Sequence, residues 1–317
     1  MTAVISTMPI LVLNPHNRCN CRCVMCDIWK RDTAEEITVE QLEAQLGSME
    51  RLGVKWVVLT GGEPLMHSDL FPLCRLLRSR GIRLTLLSSG LLLDRYASRI
   101  VENVDDVIVS LDGPPAIHDA IRRVKGAFAS LGTGVGHLRK LRPEFPVAAR
   151  CTVQRDNAAW LLDTVRTAHE LALDSISFLA ADLTSDAFNR RPGTSPDLVP
   201  EASVLSEQLA KIVATGECGG FVLEAAAKLK RIADHFHAAP SAPACNAPWV
   251  SAVMEADGTV RPCFFHRPIG RVTNGTTLYD VVNGPEAIAF RSTLDVATNP
   301  VCQRCVCSLH VSMPLSR

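Results

Sequence analysis

Residues 13–30 read LNPHNRCNCRCVMCDIWK, and four cysteines, Cys19, Cys21, Cys23 and Cys26, fall within eight positions of this stretch. A redox pair, a zinc knot and the cradle of an iron–sulfur cluster all use such a run. Cys19, Cys23 and Cys26 have the spacing C-x3-C-x2-C. Three thiolates on one tight loop can hold three irons of a cubane and leave the fourth iron open, a vacancy that four-cysteine ferredoxin sites lack. Zinc, with Cys21 completing a four-sulfur set, is the alternative; C-x-C spacing crowds a tetrahedral site without forbidding it.

The rest of the chain has to decide between them. Twelve cysteines in 317 residues are unevenly placed: four near the start, Cys302, Cys305 and Cys307 near the end, and Cys245 and Cys263 between. The first fifteen residues are apolar but carry no basic segment, and no apolar run is long enough to span a bilayer. A cytoplasmic protein is expected, without a membrane partner, and in that compartment clustered thiols read as metal sites rather than disulfides. Lys+Arg and Asp+Glu number 33 each, so charge gives no general reason to expect nucleic acid.

Working outward from the cysteine loop, short runs rich in Val, Ile and Leu alternate with helical patterns. PILVL leads into the loop; KWVVLTGGEP, IRLTLLSSG, DDVIVSLDG, FPVAARCTV and DSISFLAAD follow, with helices expected at 38–52, 69–80, 92–101, 116–131 and 158–172. Thr38 and Gln41 form a capping-box pair. Parallel β/α units follow from this alternation. Six units, with cofactor loops at the strand ends, suggest an open partial barrel, though pattern alone also allows a full barrel or a doubly wound sheet. The polar loop 182–193, with Asp182, Asp186, Asn189, Arg190 and Arg191, reads as a lid; helices are expected at 201–215 and near 221–236. The stretch 237–245 reads as a linker dividing a barrel domain, 1–236, from a small separate module, 237–317. That module opens with a hairpin turning at Asp257-Gly258.

TGGEP, residues 60–64, follows the second strand. Glycines there let a ligand approach the backbone, Glu63 can accept from an ammonium group, and Pro64 starts the next turn. With the C-x3-C-x2-C loop one unit earlier and VSLDGPPAIHDAIR at 109–122, the chain resembles the radical S-adenosylmethionine superfamily, in its SPASM/twitch branch. The resemblance implies a partial (β/α)6 barrel and a [4Fe–4S] cluster on Cys19, Cys23 and Cys26, whose open iron chelates S-adenosylmethionine (SAM). It implies that Gly61, Gly62, Glu63 and Pro64 hold the methionine amino group, and that Ser88, Ser89, Ser110 and Asp112 lie near methionine or ribose, Asp112 alternatively facing substrate. Arg150 is the candidate for the SAM carboxylate. Met25 stands where relatives often have an aromatic residue beside adenine, and Cys21 is expected to be a non-ligand.

In the tail, C-x12-G-x4-C from Cys245 to Cys263 resembles the opening of a SPASM or twitch domain. A full SPASM domain has seven cysteines; five here imply one auxiliary [4Fe–4S] cluster. Its expected ligands are Cys245, Cys263, Cys302 and Cys305, with Cys307 able to replace Cys305. A four-cysteine zinc site is the alternative from the residues alone.

The chemistry implied is reductive SAM cleavage to a 5′-deoxyadenosyl radical, which takes hydrogen from an unactivated carbon. An external donor such as flavodoxin or ferredoxin supplies the electron. The expected reaction is a two-electron oxidation, alcohol dehydrogenation, of a small polar biosynthetic substrate, the auxiliary cluster accepting the second electron. Epimerisation with a cysteine hydrogen donor, peptide maturation with a separate leader-recognition protein, and a zinc-binding structural module are the alternatives. His266, Cys307 and Cys218 are the catalytic candidates; His235 and His237, at i,i+2, share no helix face.

Overall fold

Six short strands coincide with the six apolar runs: β1 (Ile10–Leu13), β2 (Trp56–Leu59), β3 (Arg83–Ser88), β4 (Asp106–Ser110), β5 (Val147–Val153) and β6 (Ser175–Ala180). The computed structural model describes residues 4–31, 35–190, 196–237, 243–307, 309 and 311. Each of the six pairs in parallel with its sequence neighbour. Strand side chains alternate between faces. Leu11, Leu13, Val57, Leu59, Leu84, Leu86, Val107 and Val109 are fully buried on the side the helices cover. The alternate residues Val12, Val58, Leu87 and Ile108 line a cavity. The sheet is thus an α/β partial barrel around a lumen.

Local chemistry sets the helix boundaries. Thr38 and Gln41 cap Val39–Glu43 reciprocally, as the sequence predicts, and a second short helix, Leu46–Arg51, continues the segment. The single helix expected at 116–131 is two, Pro115–Arg122 and Ala127–Leu141. Arg123 at φ 54° and Gly126 at φ 78° turn the chain between them. The Asp119 carboxylate accepts from the backbone N–H of Gly126 (2.6 Å) and Phe128 (2.8 Å), starting the second helix.

The tail adds strands to the same sheet. β7 (Ser251–Met254) lies parallel beside β1, with Ile10 opposite Ser251 and Leu13 opposite Met254. β8 (Thr259–Arg261) and β9 (Gly270–Arg271) extend the sheet antiparallel. One nine-stranded sheet results, in the order β6-β5-β4-β3-β2-β1-β7-β8-β9. The change of composition near residue 237 marks a change of pattern, not a break in hydrogen bonding: β1 has an edge that β2 leaves free, and β7 fills it. The hairpin turn falls on Asp257-Gly258 as predicted, with Gly258 at φ 86°.

Candidate active site

The cysteine loop leaves the C-terminal end of β1, and the backbone of residues 16–18 is clamped from two sides. The Glu63 N–H donates to Arg18 O at 2.8 Å. His16 Nδ1 accepts from the Arg18 N–H at 3.0 Å, which leaves Nε2 to donate to Glu63 O at 2.8 Å. Burial holds the His16 imidazole at about 4, hence neutral, as this pairing requires. A side chain on Gly62 would meet Arg18 O at 1.9 Å; Gly61 sits at φ +101°. Close approach of the chain to itself thus requires glycine at both positions.

Glu63 is fully buried. Its carboxylate accepts from Ser88 Oγ (3.1 Å), from Ser89 N–H (2.7 Å) and Oγ (2.6 Å), and from Leu65 N–H (3.2 Å). Ser88 and Ser89, expected beside the cofactor, are thus partners of Glu63, and these bonds use the acceptor capacity of the carboxylate. Pro64 opens the turn Pro64–Met66, which Glu63 caps.

Among the loop thiols, Cys21 is buried between Cys19 and Cys23 and hydrogen-bonded to both. Those bonds raise the Cys21 thiol far above its ordinary value. The bond from Cys21 also holds Cys19 below its ordinary value and, with the Arg122 guanidinium, brings Cys23 to about 6 against burial. Burial pushes Cys26 up to about 12. Arg122, which the sequence reading passed over, lies 3.5 Å from Cys23 Sγ and 2.5 Å from Asp112 Oδ2. Asp112 also accepts from the Thr152 N–H at 2.9 Å. Asp112 is therefore partnered by Arg122 and Thr152 within the protein. Its position in the SLDG run was legible; the arginine ten residues later was not, because only the turn of helix Pro115–Arg122 brings it back. Met25 is buried, and Gln154 Nε2 stands 3.7 Å from its sulfur. Gln154 Oε1 is buried without a partner, a second polar group that sequence reasoning missed.

Residues 188–190 of the polar loop are tied to the cluster loop. Asp27 N–H donates to Phe188 O at 2.9 Å, Asn189 Nδ2 donates to Asp27 O at 2.9 Å, and Arg190 donates to Val24 O. Arg191 lies outside the described residues.

At the other edge of the sheet the tail thiols gather. Cys245 precedes β7, and Cys263 follows the antiparallel β8, so both lie where the parallel strands begin. Cys245, Cys263, Cys302, Cys305 and Cys307 line the same cavity as Val12, Ile108 and Arg150. Burial, with Cys302 and Cys245 adding to it, pushes Cys263 up to about 12; Cys302 rises to about 11 through burial and Cys245. Burial and the neighbouring Cys307, Cys263 and Cys245 raise Cys305, whose Sγ donates to Cys307 O. Thiols that raise one another in this way ionise together only around a cation, so the donor set suits an iron–sulfur cluster. Among the described residues no three such groups converge on a single metal ion.

Of the catalytic candidates, His266 and Cys307 line the cavity. His266 Nε2 stands 3.4 Å from Cys302 Sγ, and its ring packs edge-on to Phe290. Cys218 does not reach the lumen: it bridges to Val222 on the flank of β6. His235 is tied to Ala181 O and Arg304 O. Ser110 lies opposite Arg150 across β4 and β5.

Fold and site together define a partial barrel with one group of thiols on the loop after β1 and a second group lining its lumen. The model of the radical SAM superfamily matches residues 13–180, and that of an iron–sulfur cluster-binding domain, SPASM, matches residues 245–306; the chain belongs to the radical SAM superfamily, in its SPASM branch. It is similar to Fe-coproporphyrin III synthase of Methanosarcina barkeri, 31% identical over 153 residues, 47% of this chain and 38% of that protein. It is also similar to pre-heme d1 synthase of Dinoroseobacter shibae, 28% identical over 220 residues, 68% of this chain and 54% of that protein. The chain thus spans about half or less of the length of these relatives. Streptococcus suis SuiB bound to S-adenosylmethionine shares the fold, with a TM-score of 0.70 at 14% identity over 96% of this chain and 73% of that one. SAM, its [4Fe–4S] cluster and an auxiliary iron–sulfur cluster are the cofactors of such an enzyme, which removes the zinc-module alternative. Among the described residues no helix is long and apolar enough to cross a membrane.

Proposed function

We propose that this enzyme removes two electrons and two protons from a substrate held in the lumen, the first step being hydrogen abstraction at carbon. Cys19, Cys23 and Cys26 are the proposed ligands of the SAM cluster, with the GGEP backbone beside the methionine. Cys245, Cys263, Cys302 and Cys305 are the proposed auxiliary ligands. When bound, the cluster and SAM supply an electron and a carbon radical. The chain's own part is to hold a substrate in the cavity beside the tail thiols and to keep water from the reacting carbon. The observation carrying the reading is that cavity: inner-face strand residues and five thiols form one wall. A substrate there has an electron acceptor held by the chain on the side away from the SAM loop. An external donor of flavodoxin or ferredoxin type is proposed to supply the initiating electron, and residues 237–317 are proposed to act as the auxiliary-cluster unit.

Cys307 supports a second reading. All five tail thiols line the cavity, so with Cys245, Cys263, Cys302 and Cys305 as the proposed ligands, Cys307 is the thiol left to return hydrogen in an epimerisation. Mass spectrometry of products from anaerobically reconstituted enzyme, SAM and reductant in D2O separates them. Oxidation yields a product two mass units lighter with one 5′-deoxyadenosine each. Epimerisation yields a product carrying one solvent deuterium and otherwise unchanged. Absence of 5′-deoxyadenosine with every substrate offered defeats both.

A further inference from the structure

We infer that the substrate carries a carboxylate on an otherwise apolar body, and that Arg150 receives that carboxylate. This rests on the reading of the lumen as the substrate site. The cavity has a volume of about 210 Å³, and Val12, Val58, Leu87, Ile108, Phe264 and Phe265 are among its walls. Such a surface gives the hydroxyls of a sugar or cyclitol few partners, and an unbonded buried hydroxyl opposes binding. The small polar substrate expected from the sequence therefore fits this wall poorly.

Among the described residues Arg150 is the arginine on that wall, which otherwise carries only a few hydroxyls, thiols and His266. Its one side-chain bond is from Nε to Ser177 Oγ, at 3.3 Å. Among the described residues no carboxylate pairs with it, whereas Arg122, Arg139 and Arg261 each pair with one. Arg150 lines the cavity, and among the described residues its two terminal nitrogens have no hydrogen-bond partner. A guanidinium presents parallel N–H donors that match a carboxylate in a bidentate pair, and an apolar surrounding strengthens that pair.

The carboxylate of SAM is a poorer match. SAM would be held at the cluster loop, and neither the loop cysteines nor GGEP lines this cavity. Arg150 shares it instead with the tail thiols.

The test needs no turnover. Anaerobically reconstituted enzyme with SAM, in the absence of reductant, is titrated calorimetrically with 3-phenylpropanoate and with its neutral isostere 3-phenylpropanamide. The acid is expected to bind about tenfold or more tightly than the amide. Arg150→Gln removes the difference, Arg150→Lys keeps part of it, and SAM affinity is the same in all three proteins. Equal binding of acid and amide, binding of neither, or an Arg150→Gln variant that loses SAM affinity while keeping the acid preference overturns the inference. If the acid preference holds and no product two mass units lighter is ever found, the oxidation reading fails and this one stands.

Discussion

Arg122 places one terminal nitrogen 3.5 Å from Cys23 Sγ while the other rests 2.5 Å from the Asp112 carboxylate. The guanidinium is almost wholly buried, so it lies between two negative groups with little water to screen it. The same helix end is tied to the loop by its backbone: Arg22 N–H donates to Arg122 O and Val24 N–H to Ile121 O. Removing one partner of a buried pair costs about 3–5 kcal/mol. Arg122→Gln is expected to fold less stably and, after reconstitution, to keep its auxiliary iron while losing most of the iron at the SAM site. Arg122→Lys should recover part of it. Iron and sulfide analysis with electron paramagnetic resonance in the presence of SAM checks this. Full iron content and an unchanged SAM-induced signal in Arg122→Gln would show that the arginine does not serve the loop.

Two glycine-to-alanine changes separate close approach from helix propensity. Gly62→Ala forces a methyl group toward Arg18 O, which lies 1.9 Å from the position of the added carbon. The loop cannot keep its path, and destabilisation of more than about 3 kcal/mol is expected, with loss of the SAM cluster. Gly47 lies in helix Leu46–Arg51 with nothing within 4 Å of an added carbon. Gly47→Ala should stabilise the protein by about 0.5–1 kcal/mol. Denaturant titrations of the two variants give the opposite signs directly.

Acid should loosen the site from the histidines first. Burial holds His16 and His118 at about 4, below the ordinary 6.5. Both stay neutral in the folded chain while their unfolded counterparts take up a proton. Stability present above pH 6.5 is therefore lost as pH falls from 6.5 toward 4. Glu63, raised by burial, works in the other direction. The individual contribution is isolated by His118→Gln, since a glutamine oxygen can still accept from the Asp112 N–H that bonds His118 Nδ1 at 3.2 Å. Melting temperatures at pH 7 and pH 5 should fall less in this variant than in the parent chain; an equal fall would remove His118 from the account.

Cysteine variants should sort ligands from bystanders. Alanine at Cys19, Cys23 or Cys26 is expected to abolish 5′-deoxyadenosine formation. Alanine at Cys21 should leave the cluster able to form, since its thiol is the one raised and proton-bearing between Cys19 and Cys23. In the tail, Cys305→Ala should lower auxiliary iron and Cys307→Ala should not. The reverse result would exchange the two roles.

Much of this was written in the chain order. Alternating apolar runs in parallel β/α units specify six strands because each must bury both faces, and C-x3-C-x2-C followed by GGEP marks the cluster loop and its support within one unit. The capping pair Thr38–Gln41 and the turn at Asp257-Gly258 are local chemistry, and local chemistry is legible at short range. Contacts that depend on distant segments were not. The joining of β7 to β1 links residues about 240 positions apart, and no local pattern encodes which strand edge remains free. Arg122 reaches Cys23 only because a helix reverses the chain. Ser88 and Ser89 turned out to hold Glu63, and Asp112 to hold Arg122, because a buried carboxylate must find donors wherever the fold brings them. Sequence by itself thus determined the cofactor chemistry, which residue types and spacing carry. The character of the lumen, apolar with one unpaired guanidinium, was decided only by tertiary structure, since it is the sum of single residues from β1 to β5 and the tail, none of which carries that meaning alone.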